Sequence, residues 1–357
     1  MYAVILAGGQ GKRFWPISTA AHPKQLLNLL GEKTLLEMAV ERVMDIIPLE
    51  NILVLTNRSL VDASRLAAPS LPPENIIGEP MGRDTAPAVA LSCLLVEHRD
   101  PEGVFCILTA DQVMENLPLF RKTLIEAAEI ASREELIVTI GINPAEPSTS
   151  FGYIETDGVY EKRDNVEFFK VKRFVEKPNI DKAREYVANG GYLWNAGMFI
   201  WSANTVRNGL NRYTPHLVEM MDRLAPHIET DNFIEHIRIE YERLEKISID
   251  YALMEKADNI VVARGMFAWS DLGSWSAVAD HLDEDVNGNV TIGDVQSIDS
   301  HGNIVVSKNR LTALIGINDL VVIQADGVTL VCPKDRAQDI KEMVRKLTDD
   351  GGYGGVL

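Results

Sequence analysis

The sequence is poor in cysteine and has no long apolar run. Its three cysteines, Cys93, Cys106 and Cys332, each lie in an apolar segment, and none belongs to a CxxC pair. This argues against a disulfide framework and favours buried, reduced thiols. No apolar run reaches the length of about 18 residues that a membrane-spanning helix needs. The first residues enter a predicted strand at once, which leaves no room for a signal peptide. We therefore expect a cytoplasmic protein with no membrane partner.

Positive charge is also scarce. The chain has 35 Lys and Arg against 52 Asp and Glu, a formal net charge of −17. Proteins that bind the nucleic-acid backbone show a basic face, so this balance argues against nucleic acid as a partner, and we expect none. An anionic ligand would have to be held by local cations and metal. The balance inverts at the N-terminus, where no acidic residue falls between Met1 and Gly31.

That N-terminal stretch predicts a loop that binds phosphate. An apolar run at residues 4–7 leads into Gly8-Gly9-Gln10-Gly11, then into Lys12-Arg13, and Pro23-Lys24-Gln25 follows a dozen residues later. Glycines let backbone N–H groups approach an anion closely, and the cations offset phosphate charge. The spacing fits neither the Walker loop, GxxxxGK[ST], nor the dinucleotide fingerprint, GxGxxG. The alternative is a glycine-rich turn without a ligand.

The pattern GGxGxR followed by PK resembles the signature of the sugar-1-phosphate nucleotidyltransferases. With Phe14-Trp15-Pro16-Ile17-Ser18 between its two parts, it is similar to the mannose-1-phosphate guanylyltransferases of that family. The resemblance implies that Arg13 and Lys24 neutralise the triphosphate during catalysis. It also implies that the loop binds the nucleotide through Leu6, Ala7, Gly8, Gly9, Gly11, Lys12 and Arg13.

A second segment, residues 76–87, contains Glu79 ahead of the sequence GRDTAP. Asp84 or Thr85 can begin the following helix as its N-cap, with Pro87 in the first turn. Glu79 can also accept hydrogen bonds from the N1–H and exocyclic amine of guanine, a donor pair that adenine lacks. The resemblance agrees and implies nucleotide binding by Glu79, Gly82, Arg83, Asp84 and Thr85. Family members more often have Asn at the position of Asp84, and an acceptor-only side chain removes any contact that an amide would donate.

Two aspartates are candidate ligands of Mg²⁺. Asp111 ends an apolar strand at residues 103–110, where a carboxylate can hold Mg²⁺ together with phosphate oxygens. The resemblance makes Asp271, in the turn at residues 267–275, the second carboxylate. For each aspartate the alternative is a helix N-cap. The family's Ala-Asp-His segment has Gln112 here in place of His, so any role of that imidazole is lost.

Three further segments, FGYIE, FVEKP and WNAGMF, occur in the same order as on the sugar-binding side of the family. The resemblance implies that Gly152, Glu176 and Asn195 contact mannose, and that Lys177 binds its phosphate as a catalytic residue. Taken alone, Glu176 and Lys177 favour an exposed salt bridge over sugar binding. We assign the segment SIDYALME, with Ser248 as the N-cap of a helix, a structural role behind the sugar pocket.

Strand and helix patterns alternate up to residue 142 and predict an α/β fold. We expect a Rossmann-like, mixed but mainly parallel sheet flanked by helices, with antiparallel strands added from residue 151 onward and turns at residues 157–158 and 163–165. Residues 1–283 would form the catalytic domain, and residues 284–357 a small β domain with a helix at 335–347 and a frayed tail from Gly351. The resemblance implies that this β domain is a short left-handed β-helix or a similar fold.

The resemblance implies the reaction GTP plus α-D-mannose 1-phosphate giving GDP-mannose and diphosphate, by in-line, Mg²⁺-dependent transfer. We expect a homodimer formed through the β domain, because such domains expose edges. A chain of 357 residues leaves no room for a phosphomannose isomerase domain. Two alternatives stay open, a nucleotidyltransferase for another sugar such as glucose 1-phosphate, and a non-catalytic homologue that binds GDP-mannose. The presence of Arg13, Lys24, Asp111 and Asp271 argues against the second.

Overall fold

The computed structural model describes residues 1–325 and 327–357, without the side chain of Asn309. The chain forms two compact units. The first contains Met1–Gly8, Ala39–Ala110 and Met114–Trp269, and the second contains Gly9–Met38, Asp111–Val113 and Ser270–Leu357. The second unit combines residues from both sides of residue 283, and its apolar cluster joins Phe14 and Trp15 to Val290 and Ile304. The domain boundary itself stays a prediction.

Fifteen strands and ten α-helices are described, and they are numbered in chain order. The strands are β1 (Tyr2–Ala7), β2 (Ile52–Asn57), β3 (Ile76–Glu79), β4 (Val104–Thr109), β5 (Val113–Met114), β6 (Ile137–Ile142), β7 (Tyr153–Arg163), β8 (Val166–Val175), β9 (Tyr192–Ser202), β10 (Ile260–Gly265), β11 (Trp269–Ser270), β12 (Val290–Ile298), β13 (Ile304–Ile315), β14 (Leu320–Ala325) and β15 (Val328–Pro333). The helices are α1 (Leu35–Val43), α2 (Val61–Ala67), α3 (Thr85–Arg99), α4 (Leu117–Arg133), α5 (Ile180–Asn189), α6 (Ala203–Tyr213), α7 (Pro215–Leu224), α8 (Phe233–Arg243), α9 (Trp275–Ala279) and α10 (Ile340–Asp350).

The first unit is built on a nine-stranded sheet of order β3-β2-β1-β4-β9-β6-β10-β8-β7. Within it β8 and β9 run opposite to the other strands. The strands β1 and β4 are almost entirely apolar, as strands covered on both faces must be. Helix α3 packs on β1, and α4 packs on β4, β6 and β9. The expected mixed, mainly parallel sheet flanked by helices is confirmed.

Local signals located the ends of several elements. Asp84 is the N-cap of α3 and accepts a hydrogen bond from Thr85 N at 2.9 Å, with Pro87 in the first turn, as predicted. The predicted hairpin is present as the antiparallel pair β7 and β8. Its turn follows Arg163, whereas Asp157-Gly158 lies inside β7, where the register shifts between Thr156 and Val159. The predicted turn at residues 157–158 is therefore wrong, because a bulge absorbs these residues without ending the strand.

The helical region at residues 203–254 ends in a short π-helical turn, Asp250–Met254. We expected Ser248 to be an N-cap, but the N-cap position belongs to Ile249. Ser248 Oγ still accepts a hydrogen bond from Tyr251 N at 3.4 Å.

The second unit contains a sheet of order β12-β13-β14-β15, in which the first three strands are parallel. Buried asparagines join successive layers. Asn289 Nδ2 donates to Ser300 O at 2.9 Å, Asn303 Nδ2 donates to Ile317 O at 2.9 Å, and Asn303 N donates to Asn289 Oδ1 at 3.0 Å. These bonds satisfy backbone groups at the corners between strands. The expected small C-terminal β domain is confirmed.

The C-terminal segment differs from our expectation in two details. The predicted helix at residues 335–347 begins as a 3₁₀ helix, Lys334–Asp339, and becomes α10 at Ile340. The tail after Gly351 is not frayed, because Trp15 Nε1 donates to Val356 O at 2.7 Å. Leu357 also packs against the apolar cluster of this unit.

All three cysteines are unpaired thiols, as predicted. Cys93 and Cys106 are fully buried as predicted, whereas Cys332 is partly exposed, so the prediction of burial is wrong for that residue. Burial raises the pKa of each thiol. Among the helices of the described residues, none combines the length and apolar character that crossing a bilayer requires.

Candidate active site

The glycine loop of the second unit folds back tightly on the Pro-Lys-Gln segment. Gly11 has a φ of 59°, and a Cβ placed there would lie 2.4 Å from the Cβ of Lys24 and 2.9 Å from its backbone nitrogen. Gly11 O accepts from Phe14 N at 2.9 Å and so begins the 3₁₀ helix Lys12–Phe14. A side chain at residue 11 would therefore separate the loop from Lys24.

Lys24 connects the two predicted metal ligands. Its Nζ donates to Asp111 Oδ2 at 2.9 Å, to Asp111 O at 3.1 Å and to Asp271 O at 2.8 Å. An ammonium group has three N–H donors, so this set uses all of them. The side chain is only 6% exposed. Lys24 was predicted to neutralise phosphate. Because its ammonium is bonded to the two aspartates, its charge would act on a phosphate bound in front of them rather than through direct contact.

Neither aspartate is a helix N-cap, so the alternative reading of each is wrong. The N-cap of α4 is Asn116, and that of α9 is Ser274. The Asp111 side chain is 41% exposed. Burial raises the pKa of Asp271 above its usual range, although the charge of Lys24 lowers it. Asp271 Oδ1 accepts from Gly273 N at 3.0 Å.

The donor set suits a hard divalent cation that also binds phosphate. It consists of two carboxylates, and the described residues contain no cluster of three or more His, Cys, Asp or Glu that could enclose a metal. Mg²⁺ characteristically takes one or two carboxylates and fills its other positions with water and substrate phosphate oxygens. Asp111 and Asp271 therefore fit this ion, and their role as its ligands stays a prediction.

Cations surround the same place. Arg13 Nη1 donates to Gly273 O at 3.1 Å, which leaves its other N–H groups for a ligand. Lys12 is exposed. Gly11, Lys12, Arg13, Lys24 and Asp111 all line one cavity of about 450 Å³. The second unit thus brings the predicted loop cations and Asp111 to a single cavity.

In the first unit, the end of β1 lies beside Glu79. A Cβ on Gly8 would lie 3.7 Å from Glu79 Oε2. Glu79 is 9% exposed, and its Oε1 accepts from the buried hydroxyl of Tyr241 at 3.0 Å. Burial raises the pKa of Glu79 to about 7, and the hydrogen bond from Tyr241 opposes that rise. We did not predict Tyr241, since no local pattern links it to a residue 162 positions away.

The other predicted base-binding residues have partners within the protein. Arg83 Nε donates to Tyr241 O at 2.8 Å, and its Nη2 donates to Glu242 O at 3.2 Å, at the carboxyl end of α8. Thr85 Oγ1 accepts from Ile249 N at 2.8 Å. A Cβ on Gly82 would have no neighbour within 4 Å. These contacts explain the segment's conformation, and nucleotide binding by Arg83, Asp84 and Thr85 stays a prediction, as it does for Gly82, Leu6, Ala7 and Gly9.

The three predicted sugar-binding residues come together in the first unit. Asn195 N donates to Gly152 O at 2.8 Å. A Cβ on Gly152 would lie 2.5 Å from Glu176 Oε2 and 3.3 Å from the Cβ of Asn195. Gly152 therefore permits the close approach of the other two side chains, which was not evident from its place in the sequence.

Glu176 and Lys177 form the ion pair that we weighed as an alternative, at 2.6 Å. The pair is not simply exposed, because the Glu176 side chain is 8% exposed and that of Lys177 is 61% exposed. Glu176 N donates to Glu255 Oε1 at 3.0 Å. Lys177 has a φ of 44°, an uncommon backbone conformation for a lysine. The buried carboxylate of Glu176 and the exposed ammonium of Lys177 can therefore contact different groups of a ligand.

Asp250 supports Asn195 from behind, as predicted for its segment. Asn195 Nδ2 donates to Asp250 Oδ1 at 3.3 Å, while Asn195 Oδ1 accepts from Thr139 Oγ1 at 3.2 Å and from Gly197 N at 3.1 Å. One amide N–H of Asn195 is left for a ligand. Burial, and then the negative charge of Glu176, raise the pKa of Asp250 to about 7.

Comparison with known proteins identifies the family of this chain. It matches the nucleotidyl transferase family model over residues 2–287. This chain belongs to the nucleotidyl transferase family. Residues 293–347 of this nucleotidyl transferase match the MannoseP isomerase/GMP-like beta-helix domain. The resemblance inferred from the glycine loop is confirmed.

Several relatives match nearly the whole nucleotidyl transferase. Mannose-1-phosphate guanylyltransferase of Escherichia coli (strain K12) is 35% identical over 358 residues, which cover 99% of this chain and 74% of that protein. Alginate biosynthesis protein AlgA of Pseudomonas aeruginosa is 35% identical over 353 residues, 98% of this chain and 73% of that protein. A crystal structure from Thermus thermophilus, described as mannose-1-phosphate geranyltransferase, has a TM-score of 0.86 at 33% identity and covers 97% of this chain and 99% of its own.

Proposed function

We propose that this nucleotidyl transferase converts GTP and α-D-mannose 1-phosphate into GDP-mannose and diphosphate. The strongest structural support for this reaction is the set of hydrogen bonds from Lys24, which hold Asp111 and Asp271 beside the cationic loop. The relatives named mannose-1-phosphate guanylyltransferase support the choice of substrates. An oxygen of the mannose phosphate attacks the α-phosphorus of GTP. The bond from that phosphorus to the β-bridging oxygen breaks, and diphosphate leaves.

The attacking phosphate is already an anion near neutral pH, so no general base is needed. The difficulty is repulsion between two anions, and the protein must neutralise charge and enforce an in-line approach. Lys12 and Arg13 would face the triphosphate, and Lys24 would add its charge from behind Asp111. Mg²⁺ held by Asp111 and Asp271 would supply further positive charge to the phosphate oxygens.

Lys177 is suited to bind the sugar phosphate. Its side chain is long, 61% exposed and held by a single carboxylate, Glu176. Movement of the ammonium from Glu176 to the substrate phosphate would orient the attacking oxygen. Glu176 would then be released to accept hydrogen bonds from hydroxyls of mannose, beside the free N–H of Asn195.

Glu79 is the proposed determinant of the base. When ionised it accepts hydrogen bonds from N1–H and the exocyclic amine of guanine, and adenine offers no such pair. Tyr241 fixes one oxygen of the carboxylate at 3.0 Å. A site built to bond these donors leaves buried groups unpaired when another base enters, and this supports preference for GTP.

The decisive experiment is diphosphate release by the purified protein with Mg²⁺, crossing GTP, ATP, UTP and dTTP with mannose 1-phosphate and glucose 1-phosphate. Strong preference for GTP with mannose 1-phosphate is expected. Preference for another pair of nucleotide and sugar phosphate would support the same type of reaction but contradict the proposed substrates. Absence of release with every pair would favour a binding-only homologue.

We also propose Mg²⁺ as the cofactor and a cytoplasmic homodimer as the working form. Two exposed isoleucines, Ile298 at 60% and Ile315 at 71%, are paired across β12 and β13 and offer an apolar surface to a second copy. The three unpaired thiols agree with a reducing compartment. Sedimentation of the wild type against Ile315→Lys tests the dimer, and loss of turnover in EDTA with recovery on adding Mg²⁺ tests the cofactor.

A further inference from the structure

The cavity beside the glycine loop has a fourth cationic side chain, contributed by the C-terminal helix. Besides Lys12, Arg13 and Lys24, the cavity of about 450 Å³ is lined by Lys341 of α10. An adjoining cavity of about 410 Å³ is lined by Lys12, Lys341 and Arg345, together with Gln338, Asp339 and Glu342. Lys341 lies within residues 293–347, which match the β-helix domain model, so it is outside the part of the chain that matches the nucleotidyl transferase model.

The packing of α10 explains why Lys341 lies there. Ile340 and Val344, one turn apart, are buried in the apolar cluster of the second unit. The helix also packs against the 3₁₀ helix Lys12–Phe14. Lys341 and Arg345 each follow one of these buried residues, so they form a neighbouring stripe on the helix surface. Burial of the apolar stripe thus fixes the cationic stripe beside the loop.

The charges that line the cavity beside the glycine loop are unbalanced, because four cations accompany one carboxylate, that of Asp111. Of the cavity's cations, Lys24 is paired with Asp111. Lys12 and Lys341 make no ion pair within residues 1–325 and 327–357, and both are exposed. Arg345 has Glu342 at 3.5 Å. A chain with a net charge of −17 gains nothing in solubility from gathering unpaired cations, and they favour a multivalent anion.

We propose that Lys341 is a polyphosphate-binding residue of this enzyme, which binds the diphosphate unit of the nucleotide tail and of the released product. The proposal rests on the proposed function, because it assigns a ligand of that reaction to this cavity. It makes the C-terminal helix a participant in substrate binding as well as a structural element. Two sources share the ligand chemistry, the β- and γ-phosphates of GTP and free inorganic diphosphate.

The test uses the full chain and four proteins: wild type, Lys341→Ala, Lys341→Arg and Lys346→Ala. Lys346 is an exposed lysine on the same helix that lines neither cavity, so it controls for loss of a positive charge. Isothermal titration with inorganic diphosphate and Mg²⁺ measures binding without turnover. We expect Lys341→Ala to weaken the Kd about tenfold, Lys341→Arg to retain it within about threefold, and Lys346→Ala to match the wild type.

Kinetics separate the two sources of phosphate. In the forward reaction, Lys341→Ala should raise the KM for GTP and leave the KM for mannose 1-phosphate unchanged if Lys341 contacts the nucleotide tail. In the reverse reaction, a higher KM for diphosphate shows contact with the product. Loss of affinity in Lys341→Ala should also reduce the dependence of diphosphate binding on salt.

The inference would be overturned if Lys341→Ala bound diphosphate and GTP as tightly as Lys346→Ala does, with equal thermal stability in both. It would also be overturned if the wild type bound no diphosphate. Failure of the proposed function has a different signature. A wild type that binds diphosphate through Lys341 but uses no GTP would contradict the reaction and leave the binding site standing.

Discussion

Two lysines beside carboxylates were both expected to act on phosphate, Lys24 by neutralising the triphosphate and Lys177 by binding the sugar phosphate, and their surroundings in the structure differ. Lys24 is 6% exposed and all three of its N–H donors are bonded to Asp111 and Asp271. Lys177 is 61% exposed and bonded to one oxygen of Glu176. A buried, saturated lysine fixes the positions of its partners, whereas an exposed one with a single partner can exchange it for a ligand.

A cation near phosphate can therefore act in two ways. Lys24 positions two carboxylates and contributes charge at a fixed distance, so its loss should affect stability and catalysis together. Lys177 should affect catalysis with little effect on stability. Substitutions at each lysine and at the residues around it therefore test the distinction.

The largest effect is expected on the Lys24 side, from Asp111→Asn. The amide oxygen can still accept from Lys24, so the fold should persist, while loss of the negative charge removes a metal ligand. We expect kcat to fall about 10²–10³-fold, with a smaller loss of stability than Lys24→Met shows, because the amide still accepts from Lys24 but no longer balances its charge. Asp62→Asn, which alters an exposed ion pair with Arg65, provides the control. Near-normal turnover of Asp111→Asn would remove the metal assignment.

The next effect is expected on the other side, from Lys177→Met. Without the ammonium, kcat/KM for mannose 1-phosphate should fall about 10²-fold, with Lys177→Arg retaining part of the activity. The free energy of unfolding should fall by less than it does for Lys24→Met, because the ammonium of Lys177 is mostly exposed and has one carboxylate partner among the described residues, Glu176. Urea denaturation and steady-state kinetics measure both. A stability loss larger than that of Lys24→Met would reverse the comparison.

Lys24→Met should destabilise the protein by about 2–3 kcal/mol, because three acceptors around a buried site lose their donor. Turnover should also fall, since Asp111 and Asp271 lose their common anchor. The measurement is urea denaturation beside Lys177→Met under identical conditions. Unaltered stability would mean that Lys24 is not the anchor that its three hydrogen bonds indicate.

Gly11→Ala should destabilise the protein by about 2 kcal/mol, because the φ of 59° is strained for alanine and its Cβ would lie 2.4 Å from that of Lys24. The matched control is Gly9→Ala, where a Cβ would have no neighbour within 4 Å. Thermal denaturation of the two variants distinguishes a loop held against Lys24 from one that tolerates displacement. Equal melting temperatures would favour the second.

The smallest effect concerns pH on the Lys177 side. The pKa of Asp250 is about 7, against an ordinary value of 3.8, so between these values the native state binds more protons than the unfolded state. Its contribution to stability therefore falls as pH rises through this window. Asp250→Asn should become more stable than the wild type as the pH rises from 4 to 8, and the two proteins should be about equally stable at pH 4. Melting temperatures across pH 4–8 measure this difference, and a difference independent of pH would contradict the assignment.

Features that depend on neighbouring residues could be predicted from the sequence. The Asp84 cap needs only the residues that follow it, and the apolar strand β4 needs only its own composition. The cationic loop was recognisable because its glycines and cations lie within ten residues. The same reasoning placed Gly152, Glu176 and Asn195 on one side of the reaction, although their mutual contacts were not visible.

Features that depend on distant residues could not be predicted. Lys24 and Asp111 are 87 positions apart, and Glu79 and Tyr241 are 162 apart. The antiparallel strand β9 lies between β4 and β6, an order that its apolar composition does not encode. The predicted turn at residues 157–158 failed for a related reason, because pairing with β8 decides whether Asp-Gly ends a strand or bulges within it.

The unequal burial of the three thiols has a practical consequence. Cys93 and Cys106 are sealed in the core, while Cys332 on β15 is partly exposed. A maleimide dye added to the folded protein should therefore label one position, without mutagenesis, and do so within the β domain. Fluorescence from that single label would report events in this domain separately from the tryptophan signal of the whole chain.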